Sequence, residues 1–130
     1  MMMSNSVSKT LRVEEEHLAC AMGSGSLAVL ATPAVVALME NAAASLADEL
    51  LGDETLTTVG TRIAVEHTSP TPLAAEVTAT AVLTERDGRW FHFDVRACDR
   101  SGEIAAGTHT RVSVQADKFQ AKADGKLDEV

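Results

Sequence analysis

The chain has 130 residues, 45% hydrophobic and 23% charged, with a formal net charge of −8. That length suits one domain with a substantial core, and no uninterrupted apolar stretch approaches the ~20 residues of a membrane span. The negative balance argues against nucleic acid, whose binding is dominated by basic contacts to phosphate.

The opening residues, Met1 to Lys9, hold no apolar run of signal-peptide length, and two cysteines, Cys20 and Cys98, make no disulfide framework or metal-ligand spacing. A cytoplasmic location is therefore expected. Residues 1–7 are expected to fray, as are those from about 123 to 130, so that 1–130 reads as a single domain. Residues 8–15 suit a short first strand, with Glu14, Glu15 and Glu16 on a solvated edge. Met22-Gly23-Ser24-Gly25-Ser26 reads as a loop.

Thr32-Pro33 then opens a helix, with Thr32 in the role of N-cap and Pro33 at the first helical position. Val35, Leu38, Met39, Ala42, Ala43, Leu46 and Leu50 recur at helical spacing, so one face lies on a core. Glu40 borders that face, and its neighbours at helical spacing are Val36, Ala43, Ala44 and Ala47, none able to pair a charge. A carboxylate desolvated in this way suits a general base or a nucleophile. A Glu at the edge of an amphipathic helix can equally be solvated, and the helical wheel leaves both readings open.

Gly52-Asp53-Glu54 ends the helix and the pattern changes to period two. From Val59, the residues Val59, Thr61, Ile63, Val65 and His67 share one face, with Gly60, Arg62, Ala64 and Glu66 on the other. Pro70 and Pro72 stop that strand. A second strand, Glu76 to Arg86, meets a third through the hairpin signal Asp87-Gly88. The third alternates Phe91, Phe93, Val95 and Ala97 with Trp90, His92, Asp94 and Arg96. The turn Asp99-Arg100-Ser101-Gly102 leads to a last strand, Glu103 to Gln115, on which Gly107, His109 and Arg111 share a face. One long helix and an antiparallel meander predict an α+β domain with a curved sheet around the helix. Such a sheet leaves its edges open, which favours a homodimer.

His67 ends an inward-looking strand face and can titrate near neutrality at a cavity rim. A core histidine bonded to a backbone carbonyl would look the same in sequence. His17 and His92 carry no pattern, and no His-x-x-x-His spacing supports a metal. Gly-x-Ser-x-Gly, Walker and Gly-x-Gly-x-x-Gly motifs are absent, and Cys98 reads as structural. The chain has no Tyr and its first aromatic is Trp90, so a pocket built from the first two thirds is aliphatic or polar.

Six blocks together resemble the fluoroacetyl-CoA thioesterase family of hot-dog-fold thioesterases. They are Met22-Gly23-Ser24-Gly25, Val29-Leu30-Ala31-Thr32-Pro33 with Ala37-Leu38-Met39-Glu40, Val59-Gly60-Thr61, His67-Thr68-x-x-Thr71-Pro72, Gly107-Thr108-His109-x-Arg111, and Lys118-Phe119-x-Ala121-Lys122. The resemblance spans about Met22 to Lys122. It implies a hot-dog fold, and Thr32, Glu40 and His67 as the catalytic trio. It also implies that Gly60 and Arg111 contact substrate, Gly60 by close backbone approach and Arg111 as a cation for the acidic CoA moiety. The aromatic cover that the family's namesake places over a very small acyl group has no counterpart before Trp90. The expected activity is therefore hydrolysis of a small or medium acyl-CoA thioester, with no cofactor beyond the CoA of the substrate. A non-catalytic acyl-CoA or acyl-carrier binding module on the same fold is the competing expectation. A hot-dog hydratase is disfavoured, since no Asp-x-x-x-x-His pair lies near the helix.

Overall fold

Alanine shapes the packing of the long helix. In the computed structural model, which describes residues 5–128, helix α2 spans Thr32–Leu51 and buries Ala34, Val35, Leu38, Met39, Ala42, Ala43, Leu46 and Ala47. Ala42, Ala43 and Ala47 are wholly buried, and such short side chains let the helix axis approach the sheet closely. Phe91 and Phe93 fill the space beneath, stacked with ring centroids 6.4 Å apart. Gly52 ends the helix at φ +58, a left-handed conformation that glycine adopts without strain, and its N–H bonds the Asp48 carbonyl.

Five strands, β1 (Ser6–Arg12), β2 (Leu56–His67), β3 (Glu76–Asp87), β4 (Trp90–Asp99) and β5 (Gly102–Gln115), form one antiparallel sheet in the order β1-β3-β4-β5-β2. Helix α2 packs against all five. Strands lie about 4.8 Å apart and a helix is about 10 Å across, so contact with both edges requires a sheet that curls around the helix. This is the α+β architecture expected. Short elements complete the chain: a 3-10 turn at Glu15–His17, α1 (Ala19–Met22), α3 (Ala116–Asp124) and a second 3-10 turn at Gly125–Leu127. No helix among the described residues is long and apolar enough to cross a membrane.

Four features differ from the sequence expectation. Of the ends expected to fray, Ser6 and Val7 pair with Val82 and Ala81 in the sheet, and residues 123–127 are helical; residues 1–4 and 129–130 lie outside the described residues. The first strand runs 6–12 rather than 8–15, because Glu15 turns into the 3-10 segment. Helix α3, for which the sequence reading places no element, buries none of its residues. Strand β2 begins at Leu56, and a bulge breaks its alternation. Gly60 pairs with Arg111 but Arg62 pairs with Thr110, leaving Thr61 as the extra residue. Gly60 therefore faces the helix before the bulge and Ile63, Val65 and His67 face it after, while Val59 takes the other face.

Candidate active site

Thr32 lies at the start of α2, but not as its cap. Ala31 occupies the N-cap with extended backbone, Thr32 and Pro33 are the first helical residues, and no side chain caps the helix. The Thr32 hydroxyl is turned instead to His67, with Oγ1 2.8 Å from Nδ1. Backbone bridges between Leu18 and Leu30 and between Val29 and Pro72 hold the chain before α2 against the turn after β2. That arrangement brings the two residues together across 35 positions of sequence. His67 Nε2 is buried without a hydrogen-bond partner. A buried ring nitrogen left unpaired is costly. Beside the pair is a cavity of about 290 Å³ whose lining includes Ser24, Val29, Leu30 and Pro70 and no aromatic residue.

A second cluster forms where α2 crosses β2 and β5. A Cβ built on Gly60 would lie 3.0 Å from Glu40 Oε2, 3.2 Å from His109 Cε1 and 3.4 Å from Arg111 Nη1. Three polar side chains thus converge on one bare stretch of backbone. Arg111 donates from Nε to the Thr58 hydroxyl at 2.7 Å and from Nη2 to the Thr58 carbonyl at 2.9 Å, and its Nη1 is 3.2 Å from His109 Nε2. His109 Nδ1 donates to the Arg62 carbonyl at 2.7 Å. Burial holds the His109 imidazole below its ordinary range; the Arg62 carbonyl opposes this, Arg111 adds to it and Glu40 opposes it. Burial also lowers the Arg111 value, against the pull of Glu40 and Asp48.

The expected trio is therefore only partly assembled in one chain. Thr32 and His67 touch, whereas Glu40 follows Thr32 by eight residues, roughly 12 Å along the helix. Gly60 and Arg111 sit with Glu40, not with Thr32. Arg111, expected as a cation for the acidic CoA moiety, is 8% exposed with two of its nitrogens held by Thr58. Thr58 and His109 have no role in the sequence reading, which places His109 only on a shared face with Gly107 and Arg111; the structure buries that face at His109 and Arg111. Among the described residues no group of three or more His, Cys, Asp or Glu is placed to hold a metal, and both cysteines are free.

The model of one protein family, described as the fluoroacetyl-CoA-specific thioesterase, matches residues 13–117. The chain belongs to that family. Its likeness to the fluoroacetyl-CoA thioesterase of Streptantibioticus cattleyicolor is 40% identity over 100 residues, 75% of this chain and 70% of that protein. A mutant of the fluoroacetyl-CoA thioesterase FlK in complex with acetyl-CoA superposes with a TM-score of 0.88 at 30% identity, covering 97% of this chain and 98% of the other. A hot-dog-like protein from Thermanaerovibrio acidaminovorans shares the fold, with a TM-score of 0.83 at 22% identity over 95% and 90% of the two chains. The hot-dog assignment stands on these together with the curled sheet and its central helix.

Two expectations follow for stability. Loss of a capping threonine costs about 0.5–2 kcal/mol, but here no cap bond exists. Thr32→Ala should thus cost about 1 kcal/mol of unfolding free energy through the lost His67 bond rather than through a cap, and Thr32→Ser should keep that bond. Denaturant melts of Thr32→Ala and Thr32→Ser check this. For His109 the native state favours the neutral ring, so the unfolded chain takes up the proton first as pH falls. Its contribution is complete above about pH 6.5 and declines as pH drops toward the depressed native value. His109→Gln should flatten that part of the stability profile between about pH 5 and 7, read from denaturant melts at stepped pH.

Proposed function

We propose that two copies of this chain hydrolyse small or medium acyl-CoA thioesters, each active site taking Thr32 and His67 from one copy and Glu40 from the other. Membership of a thioesterase family makes acyl-CoA thioester hydrolysis the reaction. The observation that carries the arrangement is the split of the trio along α2. Strand β2 lies at the sheet edge, and a strand edge of twelve residues invites pairing. An antiparallel twofold pairing of β2 with its own copy brings the His67 end of one strand toward the Gly60 end of the other. The paired Thr32 and His67 then approach Glu40 of the partner subunit.

In this site Glu40 takes a proton from water as the oxygen attacks the thioester carbonyl, or attacks the carbonyl itself to give an anhydride that water then cleaves. In either route the C–S bond breaks, CoA leaves as the thiol and the acyl group leaves as the free acid. Thr32 donates its hydroxyl hydrogen toward the developing oxyanion at the positive end of α2. His67 donates from Nδ1 to the same hydroxyl and so orients it, and its bare Nε2 takes up the proton that Glu40 removes from water and passes it to the departing sulfur. Gly60 gives the substrate close backbone approach. Arg111 provides a fixed positive charge near Glu40 and the acyl end, in place of a role at the phosphates. Water is the only co-reactant, so no cofactor is required. The cavity beside Thr32, walled by small aliphatic and polar groups, suits an acyl group larger than one confined by aromatic rings. A cytoplasmic site, where acyl-CoA is met, fits the sequence reading.

Release of free thiol from acetyl-, butyryl- and phenylacetyl-CoA tests the activity, and binding of all three without turnover would establish the non-catalytic module instead. Glu40→Gln should lower kcat by about 10²- to 10⁴-fold while acyl-CoA still binds; unchanged turnover removes Glu40 from the mechanism. Mixing inactive Thr32→Ala chains with inactive Glu40→Gln chains distinguishes shared from self-contained sites. A shared site leaves one intact centre in each mixed dimer, so roughly a quarter of wild-type activity returns in a statistical mixture. A site formed within one chain returns none.

A further inference from the structure

Among the described residues, His109 is the one deeply buried titratable side chain that the proposed reaction leaves without a task. It is 2% exposed, on the inner face of β5 between Arg111 and the Phe93 ring, whose centroid is 6.2 Å away. Both of its nitrogens have partners of fixed character. The Arg62 carbonyl can only accept, so Nδ1 must carry the hydrogen. The Arg111 guanidinium can only donate, so Nε2 must present a bare lone pair. The opposite tautomer would set a lone pair against the carbonyl and an N–H against an N–H. A protonated ring would likewise aim a hydrogen at a cation.

We infer that His109 is a positioning residue for the hydrolytic site, a neutral ring locked in its Nδ1–H form that holds the Arg111 guanidinium in place beside Glu40. The inference rests on the reading of Glu40 as base or nucleophile. Thr58 grips the guanidinium through Nε and Nη2, which leaves Nη1 as the nitrogen bordering Gly60, where Glu40 Oε2 also lies. His109 is the group that fixes this last nitrogen. With His109 in place the charge next to the reacting carboxylate has one position; without it the fork can swing about the Thr58 contacts. The bulge serves the same end, since it lets Gly60 and Ile63, the partners of Arg111 and His109, face the helix together. A preorganised charge matters most in the transition state, so its loss should appear in kcat rather than KM.

The test uses the full-length protein and three readouts. The ¹⁵N shifts of the His109 imidazole at pH 7 should show a single neutral tautomer protonated at Nδ1. His109→Ala should lower kcat about tenfold or more with KM changed by less than about threefold. In His109→Gln the amide oxygen can accept from Arg111 in place of Nε2, and most of kcat should return. A ring protonated at Nε2 or on both nitrogens at pH 7 overturns the inference, and so does wild-type kcat in a folded His109→Ala. If His109→Ala does not fold, the imidazole shifts and the glutamine variant decide, and a native-like His109→Gln without activity also overturns it. Glu40→Gln, run alongside, separates the two readings. Full turnover there removes the base, whereas loss of turnover there with none in His109→Ala removes only the positioning role.

Discussion

A single extra residue in β2 makes the two polar clusters possible. Gly60 and His67 are seven positions apart, and in an unbroken strand an odd separation puts two side chains on opposite faces. Thr61 absorbs the difference. With the bulge, Thr58 and Gly60 look inward toward Glu40 while Ile63, Val65 and His67 look inward toward the start of α2. Without it, either the Arg111 cluster loses its open backbone or Thr32 loses its histidine. The bulge thus links the pleat of an edge strand to the chemistry of a hydrolase.

The helix provides the other half of that constraint. Ala42, Ala43 and Ala47 bring α2 close to the sheet, so that Glu40, half-buried at the margin of the same face, reaches Gly60 on β2 and the side chains around it. A helix of leucines would stand farther off and carry the carboxylate away from Gly60. Polar groups near this carboxylate are each bonded in a defined sense: Thr58 accepts from Arg111, His109 accepts from Arg111, and the Arg62 carbonyl accepts from His109. Such a chain, satisfied at each link, is rigid, and rigidity around a charge is what a transition state with developing charge requires.

Much of this was legible in the residues themselves. The apolar repeat from Val35 to Leu50 located α2, Asp87-Gly88 located a hairpin, and the alternation from Trp90 to Ala97 identified the faces of β4. What remained hidden was anything that depends on a partner distant in sequence. Thr32 before Pro33 has every local mark of a cap, and only the fold shows its hydroxyl taken by His67. The bulge left no trace because Thr61 is a good strand residue and Gly60 fits either face. For Arg111 the residues imply only a cation for the acidic CoA moiety, and a sequence does not show that Thr58 holds its guanidinium within the fold. Helix α3 escaped because none of its residues is buried.

Thr32 and Glu40 sit on one unbroken rod, and this sets where the chain tolerates a change in length. Removing one residue between them would shorten their separation by about 1.5 Å and swing Glu40 through roughly 100° about the axis, away from Gly60. The loop from Gly23 to Leu27 is under no such rule, since its residues are exposed and take no part in the ladder. Diversification of acyl preference in this architecture is therefore channelled: insertions and deletions can reshape the cover before α2, whereas the interval inside the helix behaves as a fixed ruler.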